Sequence, residues 1–246
     1  MEAIVERVAV IPDCHVPYHD DRAFSLALKV FQDFRPTQIV FLGDVADFYS
    51  VSSHRKDPDR QFLLEYEVQE VNKLLDRVAR GFPKAKVTFL EGNHEYRLAR
   101  YISEQCPELF GCVSVEGLLK IKERGWKFIP FGEHHQIGKM VFVHRGASGR
   151  NAAYKAISTY EKSVCMGDLH RMEEAIKVSS LGECHIGIIP GWLGDYKKAA
   201  RYMMRPFADW QLGFATIYLV ADGNFFHGLH PIVNYRTMYN GRIYAS

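Results

Sequence analysis

The sequence predicts an α/β fold: a parallel sheet built from three strand and helix units, followed by a second, mixed or antiparallel sheet. Three observations predict it. Apolar runs of strand length alternate with helix-periodic stretches from Val8 onward, each of the first three runs stops at a polar cluster, and after roughly Ile121 the chain changes to short β-like runs.

Val8 to Pro12 is a short apolar run that ends at Asp13, and Arg22 to Phe34 then carries apolar residues at helical spacing. Ile39 to Leu42 repeats the pattern, ending at Gly43 and Asp44 ahead of a helix through Glu65 to Arg80. Val87 to Leu90 repeats it again, ending at Gly92 and Asn93. Right-handed crossovers make such strands parallel, so their polar tips gather on one sheet edge, where ligands bind in open α/β sheets. The later β-like runs are Lys127 to Pro130, Met140 to His144, Ser163 to Met166, Glu174 to Ser179, His185 to Pro190, Phe214 to Ala221 and Phe225 to Ile232. A second, mixed or antiparallel sheet is expected from them, interrupted by one helix, Asn151 to Tyr160.

No repeat, low-complexity tract or Gly/Ser/Pro linker marks a boundary, so residues 1–246 are read as one catalytic domain. The stretch from Gly191 to Trp210 mixes Trp192, Tyr196, Tyr202 and Trp210 with basic residues, and is expected to serve as a substrate lid or a homo-oligomer contact. The 31 basic residues nearly cancel the 29 acidic ones, so no global charge draws the chain to nucleic acid or membrane, and any polyanion site is local. Met1 to Arg7 lacks the basic start and apolar core of a secretory signal, and no apolar run approaches the ~20 residues of a membrane span. A cytoplasmic protein is expected. Its five cysteines form no C-x-x-C pair and are expected to be reduced and mostly interior.

Five polar clusters follow predicted strands: Asp13 with His15; Gly43, Asp44 and Asp47; Gly92, Asn93, His94 and Glu95; His144; and Gly167, Asp168 and His170. Carboxylate, amide and imidazole make a mixed oxygen and nitrogen donor set, suited to manganese, iron or zinc better than the oxygen-only coordination of calcium. The glycines at 43, 92 and 167 sit where a side chain would crowd a turn toward a metal. Asp47 is read either as a helix N-cap or as an acceptor that orients a ligand histidine.

These clusters, in this order, resemble the calcineurin-like metallophosphoesterases, whose pattern is D-x-H, G-D-x-x-D, G-N-H-[DE], a later H, and G-H-x-H. The likeness spans Asp13 to His170, about two-thirds of the chain, and D-x-H-x-P-Y with G-N-H-E-x-R-L is most similar to the small bacterial and bacteriophage phosphoesterases. The resemblance implies two packed mixed β-sheets flanked by helices, an α/β/β/α sandwich, holding two divalent cations. Manganese is expected first, with iron, zinc, nickel or magnesium as alternatives. By the same resemblance Asp13, His15 and His170 hold one cation, Asp44 bridges, Asn93, His144 and residue 168 hold the other, and His94 is the catalytic acid or electrostatic partner. One position departs from the pattern, because Asp168 stands where the family has a histidine. A shorter, harder, negatively charged donor implies a weaker second site with a manganese or magnesium character.

Arg97 lies one helical turn from Asn93 and His94 and is a candidate substrate contact able to clamp a phosphate. His54, His134 and His135 are read as surface or loop residues, and Cys14 as packing. The leading function is hydrolysis of a phosphodiester or phosphomonoester, on a nucleotide or a phosphorylated end, by a hydroxide activated on two metals. The alternatives are a nuclease of the same superfamily and a metal-impaired binding protein in which Asp168 has cost the second cation.

Overall fold

A computed structural model of the chain describes residues 3–53, 63–198 and 209–246. Its elements are β1 (Ile4–Ile11), α1 (Asp21–Phe34), β2 (Gln38–Phe41), α2 (Leu64–Gly81), β3 (Lys86–Leu90), α3 (Asn93–Gln105), α4 (Val115–Leu118), β4 (Lys127–Ile129), β5 (His135–Ile137), β6 (Met140–Val143), α5 (Ala152–Tyr160), β7 (Ser163–Met166), β8 (Met172–Val178), β9 (Cys184–Pro190), β10 (Gly213–Val220), β11 (Phe225–Pro231), β12 (Arg236–Tyr239) and β13 (Arg242–Ala245).

Period-two alternation in the first strands sets the layers. Side chains of Ala9, Ile11, Ile39, Phe41 and Phe89 enter a core shared with Phe24, Val30 and Phe31 of α1 and with Val71, Leu74 and Val78 of α2. The intervening Val8, Val10, Val40 and Leu90 point to the opposite face and meet Met140, Phe142, Cys165 and Ile188 of the second sheet. A third cluster joins Val141, Val143 and Val164 to Ala152, Ala153 and Ala156 of α5. The result is helix, sheet, sheet, helix, with two mixed sheets packed face to face, as the resemblance implies. Helix α1 starts where Asp20 accepts hydrogen bonds from the Arg22 and Ala23 amides, each at 3.0 Å, which satisfies donors that the first turn leaves free.

The six-stranded sheet runs β11-β10-β1-β2-β3-β4 and the five-stranded one β5-β6-β7-β9-β8. Strands β1 to β4 are mutually parallel, as the repeated units require. The later strands, however, do not all join the second sheet: β4 extends the parallel order, and β10 and β11 pair antiparallel onto the free edge of β1. The reason is burial on both faces. Phe214 packs toward the helices while Ala215, Ile217 and Leu219 pack between the sheets, so β10 requires an interior position. The short β5 and the β12–β13 hairpin carry too little apolar alternation to be foreseen.

The cysteines are less interior than expected: Cys14 and Cys165 are buried, Cys106 is half-buried, and Cys112 and Cys184 are exposed. The two exposed ones lie in a turn and at the start of β9, outside the apolar clusters. Among the described residues, no helix is long and apolar enough to cross a membrane.

Candidate metal centre

The polar clusters converge because parallel strands deliver their C-terminal loops to one place. The loop after β1 is tied to the loop after β2 by the amides of Cys14 and His15, which both donate to the Asp44 carbonyl at 2.9 and 2.8 Å. The Gly167 amide donates to the His144 carbonyl at 3.0 Å, joining the loops after β6 and β7. A side chain bridges the two sheets, since Asp13 Oδ2 accepts from the Asp168 amide at 2.8 Å. His15, Asp44, Asp168 and His170 all adopt the left-handed backbone region, with φ between 49° and 69°. In non-glycine residues that conformation costs roughly 1–2 kcal/mol each, and it persists where surrounding structure enforces it, often at functional sites.

Two donor sets that share Asp44 result, and a third grouping, His15 with Asp47 and His94, borders them. Asp13, His15, Asp44 and His170 are all buried and place one ligand atom each within 4.8 Å of one another. His15 Nε2 and His170 Nε2 are 2.9 Å apart, and His170 Nε2 is 3.2 Å from Asp13 Oδ2. Donors bound at right angles to one ion at about 2.1 Å stand about 3 Å apart, so these spacings fit a shared cation. The buried Asp13 Oδ1 has no hydrogen-bond partner among the described residues, a rarity that an ion would remedy. The second set is Asp44, His144 and Asp168. Asn93 Oδ1 joins it at 2.8 Å from His144 Nε2, and Asp44 Oδ1 lies 3.3 Å from the same nitrogen. His144 Nδ1 donates to the Leu42 carbonyl at 2.7 Å, which turns Nε2 toward the donors. The residues present therefore fit two cations with Asp44 common to both sets.

The electrostatics of the cluster point the same way. Burial opposes charge on His144, yet Asp44, Asp13 and Asp168 outweigh it and raise its pKa to about 10. Burial likewise opposes charge on Asp44, but His144 and His94 hold its pKa well below the usual carboxylate range. His15 is pushed down, chiefly by burial and by neighbouring His94, which keeps its nitrogen available as a neutral ligand.

His94 sits beside both sets, with Nε2 3.8 Å from Asp44 Oδ2. Its Nδ1 lies 2.9 Å from Asp47 Oδ1, and His15 Nδ1 lies 3.2 Å from the same oxygen. Of the two readings of Asp47, the geometry matches the histidine acceptor, a single carboxylate that orients two imidazoles. Arg97 Nη1 donates to the Asp47 carbonyl at 2.8 Å and Nη2 to His94 Nε2 at 2.9 Å. His54 lies outside the described residues, while His134 and His135 join neither donor set.

Four further residues contribute that the sequence pattern gives no role at the centre. The Glu95 carboxylate accepts from the amides of Asp44, Ala46 and Gly92 at 2.9, 2.7 and 2.9 Å, and so clamps the second and third loops together. Arg145 Nη2 donates to Asp168 Oδ1 at 2.6 Å and to Asn93 Oδ1 at 3.1 Å. Trp192 stacks on His170 with ring centroids 5.1 Å apart, and Trp210 meets His170 edge-on at 4.5 Å. Glu95 was visible as the last letter of G-N-H-E, whereas nothing in the sequence singles out Arg145. The expected lid or oligomer segment, 191–210, lies partly outside the described residues; its first part is tied to the centre by the Leu193 amide, which donates to the Asp13 carbonyl at 2.7 Å.

Glycine is required here by space. A Cβ on Gly92 would overlap the Asp44 amide and carboxylate, and one on Gly167 would lie 2.5 Å from Asp13 Oδ1. Gly92→Ala is expected to destabilise the fold by about 1–3 kcal/mol or more, as overpacking of rigid backbone does. A thermal melt beside wild type checks it, and an unchanged Tm would show that the loop yields freely.

The sequence model of the family described as calcineurin-like phosphoesterase matches residues 6–213. The Gene 54 proteins of the mycobacterium phages L5 and D29 are each 26% identical, aligned over 97% of this chain and 98% of theirs. Among solved structures, vacuolar protein sorting 29 of Cryptosporidium parvum superposes with a TM-score of 0.50 at 13% identity, covering 98% of this chain and 95% of that one, a likeness of fold. With a family match across most of its length and the donor sets on the loops where that pattern falls, the chain belongs to the calcineurin-like phosphoesterase family.

Proposed function

We propose that this protein hydrolyses phosphodiesters or phosphomonoesters in a metal-dependent reaction, on a nucleotide or a phosphorylated end, and that residues 1–246 act as one catalytic domain. The observation that carries the reading is the pair of donor sets sharing Asp44, with His94 alongside. When bound, two divalent cations, manganese foremost, would neutralise charge on the phosphoryl oxygens and acidify water near neutral pH. Asp13, His15 and His170 would hold one; Asn93, His144 and Asp168 would hold the other.

The remaining chemistry falls to the chain. His94 delivers a proton or a hydrogen bond to the departing oxygen, and Asp47 fixes its ring by accepting from Nδ1. Burial opposes a charged His94, but Asp44 and Asp47 raise its pKa, which favours the protonated acid. Arg97 donates to the neutral form of the same imidazole at Nε2, and would pass that hydrogen bond to an incoming phosphate, freeing Nε2 to carry the proton.

The test is hydrolysis of an aryl phosphodiester by chelated protein refilled with manganese, magnesium, zinc, nickel or iron. Activity that returns with metal, highest or near highest for manganese, is the expected result; a refilled protein without activity on monoester, diester, cyclic nucleotide or DNA would refute it. Asp168→Ala is expected to lower occupancy of the second cation position and turnover together, measured at matched manganese concentrations. Unchanged occupancy and rate would remove Asp168 from the donor set.

A further inference from the structure

We propose that Arg145 is a substrate-phosphate contact of this centre and that Asp168 is the residue that positions it. The proposal rests on the phosphoesterase reading above. β6 and β7 are parallel neighbours, so the residues that follow them, Arg145 and Asp168, emerge side by side. The Asp168 side chain is only 12% exposed, whereas that of Arg145 is 51% exposed. The carboxylate is thus the buried anchor and the guanidinium the group presented outward.

Both hydrogen bonds of the guanidinium, to Asp168 Oδ1 and Asn93 Oδ1, use Nη2. A guanidinium carries five N–H groups in a planar fork, so the bonds to Asp168 and Asn93 leave donors for phosphate oxygens. Asn93 Oδ1 also lies 2.8 Å from His144 Nε2, which puts this cation at the rim of the second donor set. A half-exposed ion pair adds little to folding, so stability is a poor reason for the arrangement. Charge is a better one. Asp168 adds a carboxylate beside Asp44 at a place where a phosphate would enter, and without a counter-ion it would repel that phosphate. Arg145 cancels the charge and offers a fork matched to a phosphoryl group.

The test is calorimetric binding of phenylphosphonate to the manganese-loaded full chain, with manganese affinity measured separately for each variant. Arg145→Met is expected to weaken phosphonate binding by roughly 10- to 100-fold, the range of a charge-assisted hydrogen bond, without loss of manganese affinity. Arg145→Lys restores part of the loss by returning the charge without the fork. Asp168→Asn keeps an amide oxygen, the donor type of Asn93, but takes away the carboxylate that holds the guanidinium. With each variant saturated in manganese according to its own measured affinity, it is expected to weaken phosphonate binding in the wild-type background and to add nothing in the Arg145→Met background. Wild-type phosphonate affinity in Arg145→Met, or losses that simply add in the double variant, would overturn the proposal. If wild type binds manganese and hydrolyses its substrate while Arg145→Met behaves as wild type, this proposal alone fails. If wild type binds no manganese, the phosphoesterase reading fails with it.

Discussion

Asp44→Ala is expected to reduce phosphoester hydrolysis to the background of the assay and to empty both cation positions. Asp44 is the only carboxylate among the described residues that belongs to both donor sets, with Oδ2 3.8 Å from His15 Nε2 and Oδ1 3.3 Å from His144 Nε2. Its Oδ1 also accepts from the His94 amide at 2.9 Å, so the substitution loosens the start of α3. Without it, His15 and His144 lose the one carboxylate that both of them contact. Asn93→Ala should likewise abolish turnover, because its oxygen is the neutral donor 2.8 Å from His144 Nε2. Bound manganese measured by elemental analysis, together with the rate, checks both variants. Normal metal content in Asp44→Ala would show that Asp44 does not bridge.

His94→Ala tests a different function of the same cluster. It should keep its manganese and lose turnover by about 10²- to 10⁴-fold, the usual contribution of a general acid. The distinction follows from position: His94 Nε2 accepts from Arg97 Nη2 at 2.9 Å and its Nδ1 is held by Asp47, so both nitrogens are engaged outside the two donor sets. A leaving group that needs no protonation, such as a nitrophenolate, should suffer less than an alkoxide. Loss of metal from His94→Ala together with normal metal in Asp44→Ala would mean that the two roles have been assigned backwards.

Much of this architecture is legible in the sequence because it depends on local periodicity. Alternation in Val8 to Ile11 and Ile39 to Leu42 sends successive side chains to two different cores, and a strand buried on both faces announces a sandwich layer. The order of strands is not legible for β10 and β11, because β10 lies beside β1 through a pairing across some 200 residues that no local pattern encodes, and β11 follows it onto that edge. The same division holds at the centre. The ligand residue types and their glycines are local features at strand ends, and they are read directly. The Arg145–Asp168 pair and the Glu95 clamp depend on which loops become neighbours, and so does the left-handed backbone at His15, Asp44, Asp168 and His170. Asp168 shows the consequence: in the sequence it is a departure from a pattern, and in the fold it is half of an ion pair.

The most direct test of a two-cation hydrolytic centre is the rate of aryl phosphodiester hydrolysis against bound manganese, from exhaustively chelated protein to saturation, with stoichiometry read by equilibrium dialysis. The donor sets predict two manganese ions per chain, the one at Asp44, Asn93, His144 and Asp168 binding more weakly, and a rate that rises with the second. Hydrolysis undiminished after complete chelation would contradict it.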